Sequence, residues 1–143
     1  MFNLNDCMAF VTSQSSKVFA EVMEKKLRPY NITRTQWIAM YYILTNEQLT
    51  QRELADMMSL KEPTIVRMLQ KMELEGHLLR TGSTEDRRRK YLALSPSGEQ
   101  LCLNLLPVVE KFKDDTTAGI SPEHLQILKD SLEKMVENAM NQL

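Results

Sequence analysis

Glycine, proline, cysteine and aromatic residues are all scarce in this chain of 143 residues. It contains 4 glycines, 5 prolines and 2 cysteines, and aromatic side chains make up 6% of it. So few turn-forming residues argue against an all-β protein with many tight turns. No apolar run approaches the roughly 18 residues of a membrane span. The ten methionines suit helical packing. We therefore expect a helical protein that does not cross a membrane.

The chain offers little that points to secretion, metal binding or catalysis. Its N-terminus has neither the basic start nor the apolar stretch of a secretion signal, so a cytoplasmic location is expected. Cys7 and Cys102 are far apart and form no zinc-binding spacing, which favours reduced thiols. His77 and His124 belong to no metal-ligand or nucleophile motif. We expect no cofactor and no enzymatic activity.

The net charge of -1 hides an uneven distribution of charge along the chain. Residues 1–60 are balanced, with six basic and six acidic side chains. Residues 61–95 carry eight basic and five acidic side chains, whereas residues 96–143 carry four basic and eight acidic ones. The local basic block keeps a nucleic-acid partner possible although the whole chain is slightly acidic.

Both ends of the chain have the pattern of amphipathic helices. In residues 6–28, apolar side chains recur at intervals of three and four, and Pro29 should end this helix by biasing Arg28 away from helical dihedrals. Another helix should start at Ser95-Pro96 and be kinked by Pro107, and a last one should start at Ser121-Pro122. A chain this small gains little by burying such long stripes internally, which favours a dimer interface.

The middle of the chain contains shorter elements with clear start signals. Thr33 to Gln36 and Thr50 to Glu53 are capping boxes, and Ser59 to Glu62 is a third candidate. Pro63 fits the first turn of the helix that follows, and Gly76 is suited to close it.

A predicted β-hairpin completes the middle region. Two short apolar stretches, 77–80 and 91–94, flank a polar and charged segment. The order helix, short helix, helix, hairpin over residues 33–95 is that of a winged helix-turn-helix. We expect a mainly α fold with a small β-hairpin wing, in which residues 1–32 and 96–143 form a helical dimerisation region.

The second helix of a helix-turn-helix enters the major groove of DNA. Here it would bury Ile65 and Leu69 and expose Lys61, Thr64, Arg67 and Lys71. Lys and Arg suit guanine edges and phosphates. The alternative is that these cations only solvate a helix face, because three glutamates lie among them.

The hairpin tip carries four consecutive cations, Arg87 to Lys90. Their mutual repulsion is costly unless an anion is near, and the narrow minor groove of DNA is a favourable destination for arginine. The alternative is a solvated charged turn, partly balanced by Glu85 and Asp86.

Several linked motifs follow one another along the middle of the chain. They are Asn31-Ile-Thr-x-x-Gln36-Trp37, Leu49-Thr-Gln-Arg-Glu-Leu-Ala55, Thr64 with Arg67, Glu73-Leu-Glu-Gly76, Glu85-Asp-Arg-Arg88 and Leu92-x-Leu-Ser-x-x-Gly98. In this order they resemble the MarR family of transcriptional regulators. They cover about residues 31–98, and the flanking helices fit by arrangement only.

The resemblance implies a homodimer that binds a palindromic DNA operator, with the terminal helices at the dimer interface. It implies contacts near Thr64 and Arg67, a minor-groove contact by Arg88, and Asp86 as the residue that holds Arg88. Pro63 departs from the polar residue that is frequent at this position. The complete set of DNA-contact candidates is Gln51, Lys61, Pro63, Thr64, Arg67, Lys71, Asp86, Arg87, Arg88 and Arg89.

The family resemblance also implies regulation by a small phenolic or amphipathic molecule. Phe10, Trp37 and Tyr41 could line its pocket, or they could be core aromatics. A repressor that senses oxidants through Cys7 is an alternative, although no basic residue adjoins this cysteine. A winged helix used only for protein contacts is a further alternative, against which the charge at 87–90 argues.

Overall fold

The computed structural model describes residues 1–82 and 90–143, which fall into two compact units, Met1–Pro107 and Val108–Leu143. The described part contains six α-helices and one pair of strands. Their bounds are α1 Met8–Leu27, α2 Arg34–Thr45, α3 Gln51–Met58, α4 Glu62–Leu74, β1 Leu78–Gly82, β2 Lys90–Leu94, α5 Pro96–Thr116 and α6 Pro122–Met140. The expected mainly α fold with a small hairpin is confirmed.

Helix α1 ends at Leu27, close to the end expected from Pro29, but the reason differs. Arg28 keeps right-handed helical dihedrals, and the chain continues from Arg28 to Tyr30 as a short 3-10 helix with Pro29 in its first turn. The prediction that Pro29 would move Arg28 out of the helical region is therefore wrong. The helical segment ends at Asn31, whose φ of 55° is left-handed. Asparagine tolerates this conformation better than most residues.

Local side-chain caps fix where α2 and α3 begin. The Thr33 hydroxyl accepts from the Gln36 N–H, and the Gln36 side chain accepts from the Thr33 N–H, so this capping box is complete. Thr50 caps α3 by accepting from the Glu53 N–H at 3.2 Å. The third candidate, Ser59, is wrong: it closes α3 in the left-handed conformation, and Lys61 precedes α4 without a side-chain cap.

The two strands pair antiparallel, with Leu78 opposite Leu94 and Gly82 opposite Lys90. Leu49 adds an isolated bridge, because its carbonyl accepts from the Leu92 N–H at 2.8 Å. This bridge joins the segment before α3 to the hairpin. Residues 83–89, and with them the predicted tip, lie outside the described residues.

The core of Met1–Pro107 lies among the end of α1, helices α2, α3 and α4, the hairpin and the start of α5. Its fully buried large side chains are Leu27, Met40, Leu54, Ile65, Leu69, Met72, Leu78, Cys102 and Leu105. Clustered apolar burial of this kind supplies the main free energy of folding.

The start of α5 is fastened to the turn after α4. The Ser95 hydroxyl donates to the Gly76 carbonyl at 2.5 Å and accepts from the Gly98 N–H at 3.0 Å. Gly98 approaches the His77 carbonyl so closely that a Cβ at this position would overlap the backbone. Ser95 thus caps α5 as expected, and Gly98 permits the contact that holds α5 against the end of α4.

The unit Val108–Leu143 buries none of its side chains within the chain. It contains the second half of α5, which remains helical through Pro107, and α6, which Ser121 caps by accepting from the His124 N–H. Among the described residues, no helix combines the length and apolar character that crossing a membrane requires.

Candidate nucleic-acid interface

Helices α3 and α4 form a helix-turn-helix with a connection of three residues, 59–61. The left-handed Ser59 turns the chain, and the Leu60 N–H donates to the Ala55 carbonyl at 3.0 Å to close α3. The Lys61 carbonyl then accepts from the N–H groups of Thr64 and Ile65, which starts α4. This tight turn fixes the direction of α4 relative to α3.

Helix α4 divides into a buried face and an exposed one. Ile65, Leu69 and Met72 are completely buried. The predicted contact residues Lys61, Pro63, Thr64, Arg67 and Lys71 are all exposed. Neither Lys61 nor Arg67 forms an ion pair with any described residue. The structure therefore places Pro63, Thr64, Arg67 and Lys71 on the exposed side of α4 and Lys61 immediately before it.

Gln51 occupies a different position from the other candidates, at the start of α3. Its Nε2 donates to Glu62 Oε1 at 3.3 Å, and its Oε1 accepts from Arg80 Nη1 at 3.3 Å. Gln51 thus connects the first turns of α3 and α4 to the hairpin. A contact between Gln51 and DNA remains a prediction.

Arg80 is a residue that sequence reasoning missed. It lies in β1, and its Nε also donates to Glu73 Oε2 on α4 at 3.1 Å. One guanidinium group therefore ties the base of the hairpin to both helices of the helix-turn-helix. No local spacing rule relates a strand residue to a helix residue seven positions earlier, so only the opposite charges could have suggested the pair.

Lys71 lies further along α4 and has its own neighbours. Its Nζ is 4.0 Å from Glu75, an exposed pair that contributes little to stability. It also borders a cavity of about 440 Å³ whose lining includes Glu24, Arg28 and Glu75. Lys71 is therefore less free to meet a phosphate than Lys61 or Arg67.

A second, apolar notch lies at the start of α4. It has a volume of about 470 Å³ and is lined by Glu62, Pro63, Val66 and Arg67. Val66 was not a candidate, although its position three residues after Pro63 places the two on neighbouring turns of one face.

The predicted wing contacts Asp86, Arg87, Arg88 and Arg89 lie outside the described residues. The strands that lead to and from them are described, and Lys90 at the start of β2 is exposed. Their DNA contacts remain predictions.

The three candidate effector residues have different environments. The rings of Trp37 and Tyr41 stack at 5.5 Å, and Trp37 Nε1 donates to the Cys102 carbonyl at 3.5 Å. Trp37 is buried, Tyr41 is exposed and Phe10 is half-buried. Neither cavity described above includes any of the three. Their role in effector binding remains a prediction.

In the described part of the chain, no three His, Cys, Asp or Glu side chains cluster suitably for a metal ion. Cys7 is half-buried at the start of α1. Burial raises the pKa of the Cys102 thiol to about 11, and the Glu99 carboxylate adds to this effect. His77 has a buried Nδ1 without a partner among the described residues, and its Nε2 is 3.8 Å from Glu75.

A helix-turn-helix followed by a two-stranded hairpin, with Lys61, Thr64 and Arg67 exposed at its second helix, defines a winged-helix fold. Residues 30–89 match the sequence model of the MarR family. The chain is also similar in structure to MarR from Oenococcus oeni PSU-1, at 26% identity and a TM-score of 0.77, over 91% of this chain and 98% of that one.

Two further structures share the fold. MepR of S. aureus, solved as a DNA complex, is 23% identical with a TM-score of 0.84, over 91% of this chain and 96% of that one. CouR of Rhodococcus jostii RHA1, solved with p-coumaroyl-CoA bound, is 23% identical with a TM-score of 0.85, over 94% and 95% of the two chains. Residues 30–89 thus match the MarR family model, and the chain shares the winged-helix fold of these three structures.

Proposed function

We propose that this protein is a cytoplasmic homodimeric repressor that binds a palindromic operator and is released from it by a small phenolic or amphipathic effector. The observation that carries the proposal is the exposed face of α4, where Lys61, Thr64 and Arg67 stand opposite a fully buried face. Such a helix suits the major groove, and the arginine-rich segment 87–89 suits the minor groove beside it.

The dimer is supported by apolar side chains that the single chain leaves exposed. In the first unit these include Met8, Val18 and Phe19 on α1, and in the second they include Leu128 and Val136 on α6. Exposed apolar rows on terminal helices favour association. A two-fold dimer presents two copies of α4 and so calls for a palindromic site.

Two observations support the proposed effector binding. The stacked Trp37–Tyr41 pair has one buried and one exposed ring, which would offer an aromatic ligand a surface to stack on. The structural relative CouR binds p-coumaroyl-CoA. These points motivate a screen of phenolic compounds for release of the operator.

The decisive experiment is selection of bound fragments from random DNA by the full-length protein. We expect an inverted-repeat consensus with half-sites about one helical turn apart. Selection without any sequence preference would contradict the proposal. A salt titration would separate it from a protein-interaction module, because DNA binding weakens steeply as salt rises and most protein contacts do not.

A further inference from the structure

The apolar notch at the start of α4 lies where a DNA-reading helix meets the base edges. Pro63 is exposed and Val66 is half-buried, and the two share the notch with Arg67 and Glu62. Residues spaced by three and four positions lie side by side on a helix, so Pro63, Val66 and Arg67 form one small surface. The lining is almost wholly carbon.

An apolar surface on this part of the helix has one natural counterpart in DNA. The N-terminal turns of a recognition helix face the base edges of the major groove. Among the groups that the four bases present there, only the C5-methyl of thymine is apolar. Arg67 lines the notch and Lys61 precedes its first residue in the chain, and both cations would attract phosphates or guanine edges.

Glu62 is the one acidic residue of the lining, and its charge has to be accounted for. Its Oε1 accepts from Gln51 Nε2 at 3.3 Å, and it occupies the first position of α4. There the helix dipole stabilises a carboxylate. Glu62 is thus part of the scaffold that joins α3 to α4, and the apolar part of the notch falls to Pro63 and Val66.

We propose that Pro63 and Val66 receive the methyl group of a thymine next to the base read by Arg67, and so select thymine at one position of each half-site. The proposal rests on the DNA-binding function proposed above.

Thr64 offers a competing methyl group on the same turn. It is exposed, and threonine can also contact the thymine methyl. Thr64→Ser removes that methyl and keeps the hydroxyl, whereas Val66→Thr keeps the shape of the side chain and replaces one of its two methyl groups with a hydroxyl. The two variants therefore form a matched pair that separates the two sources of apolar contact.

The test uses the operator obtained by selection with the full-length protein. Each thymine of one half-site is replaced in turn by deoxyuridine, which lacks only the methyl group. We expect one replacement to weaken binding of the wild type about fourfold, the factor for losing about one buried methyl group. Val66→Thr should bind the thymine and deoxyuridine duplexes within about twofold of each other. Thr64→Ser should keep the wild-type difference at this position.

The outcomes distinguish the notch from the wider function. Sequence-specific binding that is indifferent to every deoxyuridine replacement would overturn the notch proposal alone. Loss of the methyl effect in Thr64→Ser but not in Val66→Thr would assign the contact to Thr64 and overturn it as well. Absence of any sequence preference would contradict the DNA-reading function itself. The wild-type scan needs no variant, so it remains decisive even if Val66→Thr unfolds.

Discussion

Helices α4 and α6 are both amphipathic, but only α4 buries apolar side chains within the chain. Helix α4 buries Ile65, Leu69 and Met72 and leaves its polar face accessible. Helix α6 is longer, with 19 residues against 13, and buries none of them. Packing within the chain therefore completes α4, whereas α6 carries an apolar face that still lacks a cover.

The physical consequence concerns stability. An isolated helix of this length is marginal in water, because most helical stability in proteins comes from packing. Ile127, Leu128, Val136 and Met140 on α6 are each about half exposed or more. Complete burial of a fully exposed apolar side chain yields roughly 1.5–3 kcal/mol, so covering the exposed half of each yields about half of that. The exposed face of α4 is therefore mainly polar, whereas the exposed face of α6 includes large apolar side chains.

The largest expected effect tests the uncovered face directly. Removing residues 121–143 should yield monomeric or aggregated protein with little operator affinity, because two linked half-site contacts become independent. Light scattering and operator titration measure the two effects. Leu128→Asp should act in the same direction with less disruption, and Lys129→Ala, an exposed polar change on the same helix, is its control. A soluble, well-folded dimer from the truncated chain would refute the role of α6.

Gly98 in the first unit and Gly119 in the second have different surroundings. Gly98 faces the His77 carbonyl, whereas Gly119 has φ of +82° and no atom near the position of a Cβ. Gly98→Ala should lower the free energy of unfolding by about 3 kcal/mol or more, because backbone has to move. Gly119→Ala should cost only about 1–2 kcal/mol, the strain of left-handed dihedrals. Chemical denaturation measures both, and equal losses would contradict the comparison.

The contacts that the sequence could predict are those between residues that lie close together along the chain. The Thr33 box and the Ser95 cap lie within four residues, so their spacing was enough to place the starts of α2 and α5. Ser59 failed because a serine three residues before a glutamate also fits the left-handed end of the preceding helix. Only the tight three-residue connection between α3 and α4 decides between these two uses.

The same distinction, between patterns within one element and contacts between elements, applies to the candidate site. The exposed face of α4 could be read from helical periodicity, since Ile65 and Leu69 fix which side is buried. The contacts of Arg80 with Gln51 and Glu73 depend on how the hairpin meets two helices, and no spacing within one element contains that information. Val66 was missed because a valine between two buried positions has the pattern of core.

The arginines of the predicted hairpin tip, Arg87 to Arg89, lie outside the described residues. Arg88→Ala should cut operator affinity strongly and leave the major-groove consensus mostly intact, because an arginine in the minor groove responds to its negative potential. The salt dependence should weaken by about one phosphate-equivalent. Titrations at several salt concentrations measure both.

Asp86→Ala is the companion variant. It should lose less affinity than Arg88→Ala, because it removes an orienting partner and leaves the cation. Melting temperatures of both variants should stay close to wild type if the two residues act at an exposed tip. Normal operator binding by Arg88→Ala would reject this role, as would an affinity loss that a comparable loss of fold stability explains.

A smaller effect is expected on the open face of α4. Arg67→Ala should weaken operator binding by about 1–3 kcal/mol and relax the preference at one base pair, if Arg67 reads a base edge. Thermal stability should change little, because Arg67 is exposed and forms no ion pair with described residues. Affinity is measured on operator and on random DNA. Equal losses on the two would make Arg67 a phosphate contact.

The smallest expected effect concerns the alkylation rates of the two cysteines, of which Cys102 is buried and Cys7 is half-buried. Burial, reinforced by Glu99, raises the pKa of Cys102 to about 11, so almost no thiolate is present at pH 8. Cys102 should resist alkylation until the chain unfolds, whereas the half-buried Cys7 should react faster in the folded chain. Because the folded chain holds the Cys102 proton, its contribution to stability is intact below about pH 9 and is lost as pH rises toward 11. Mass spectrometry of alkylated Cys7→Ser isolates Cys102, and rapid native labelling there would contradict a closed core.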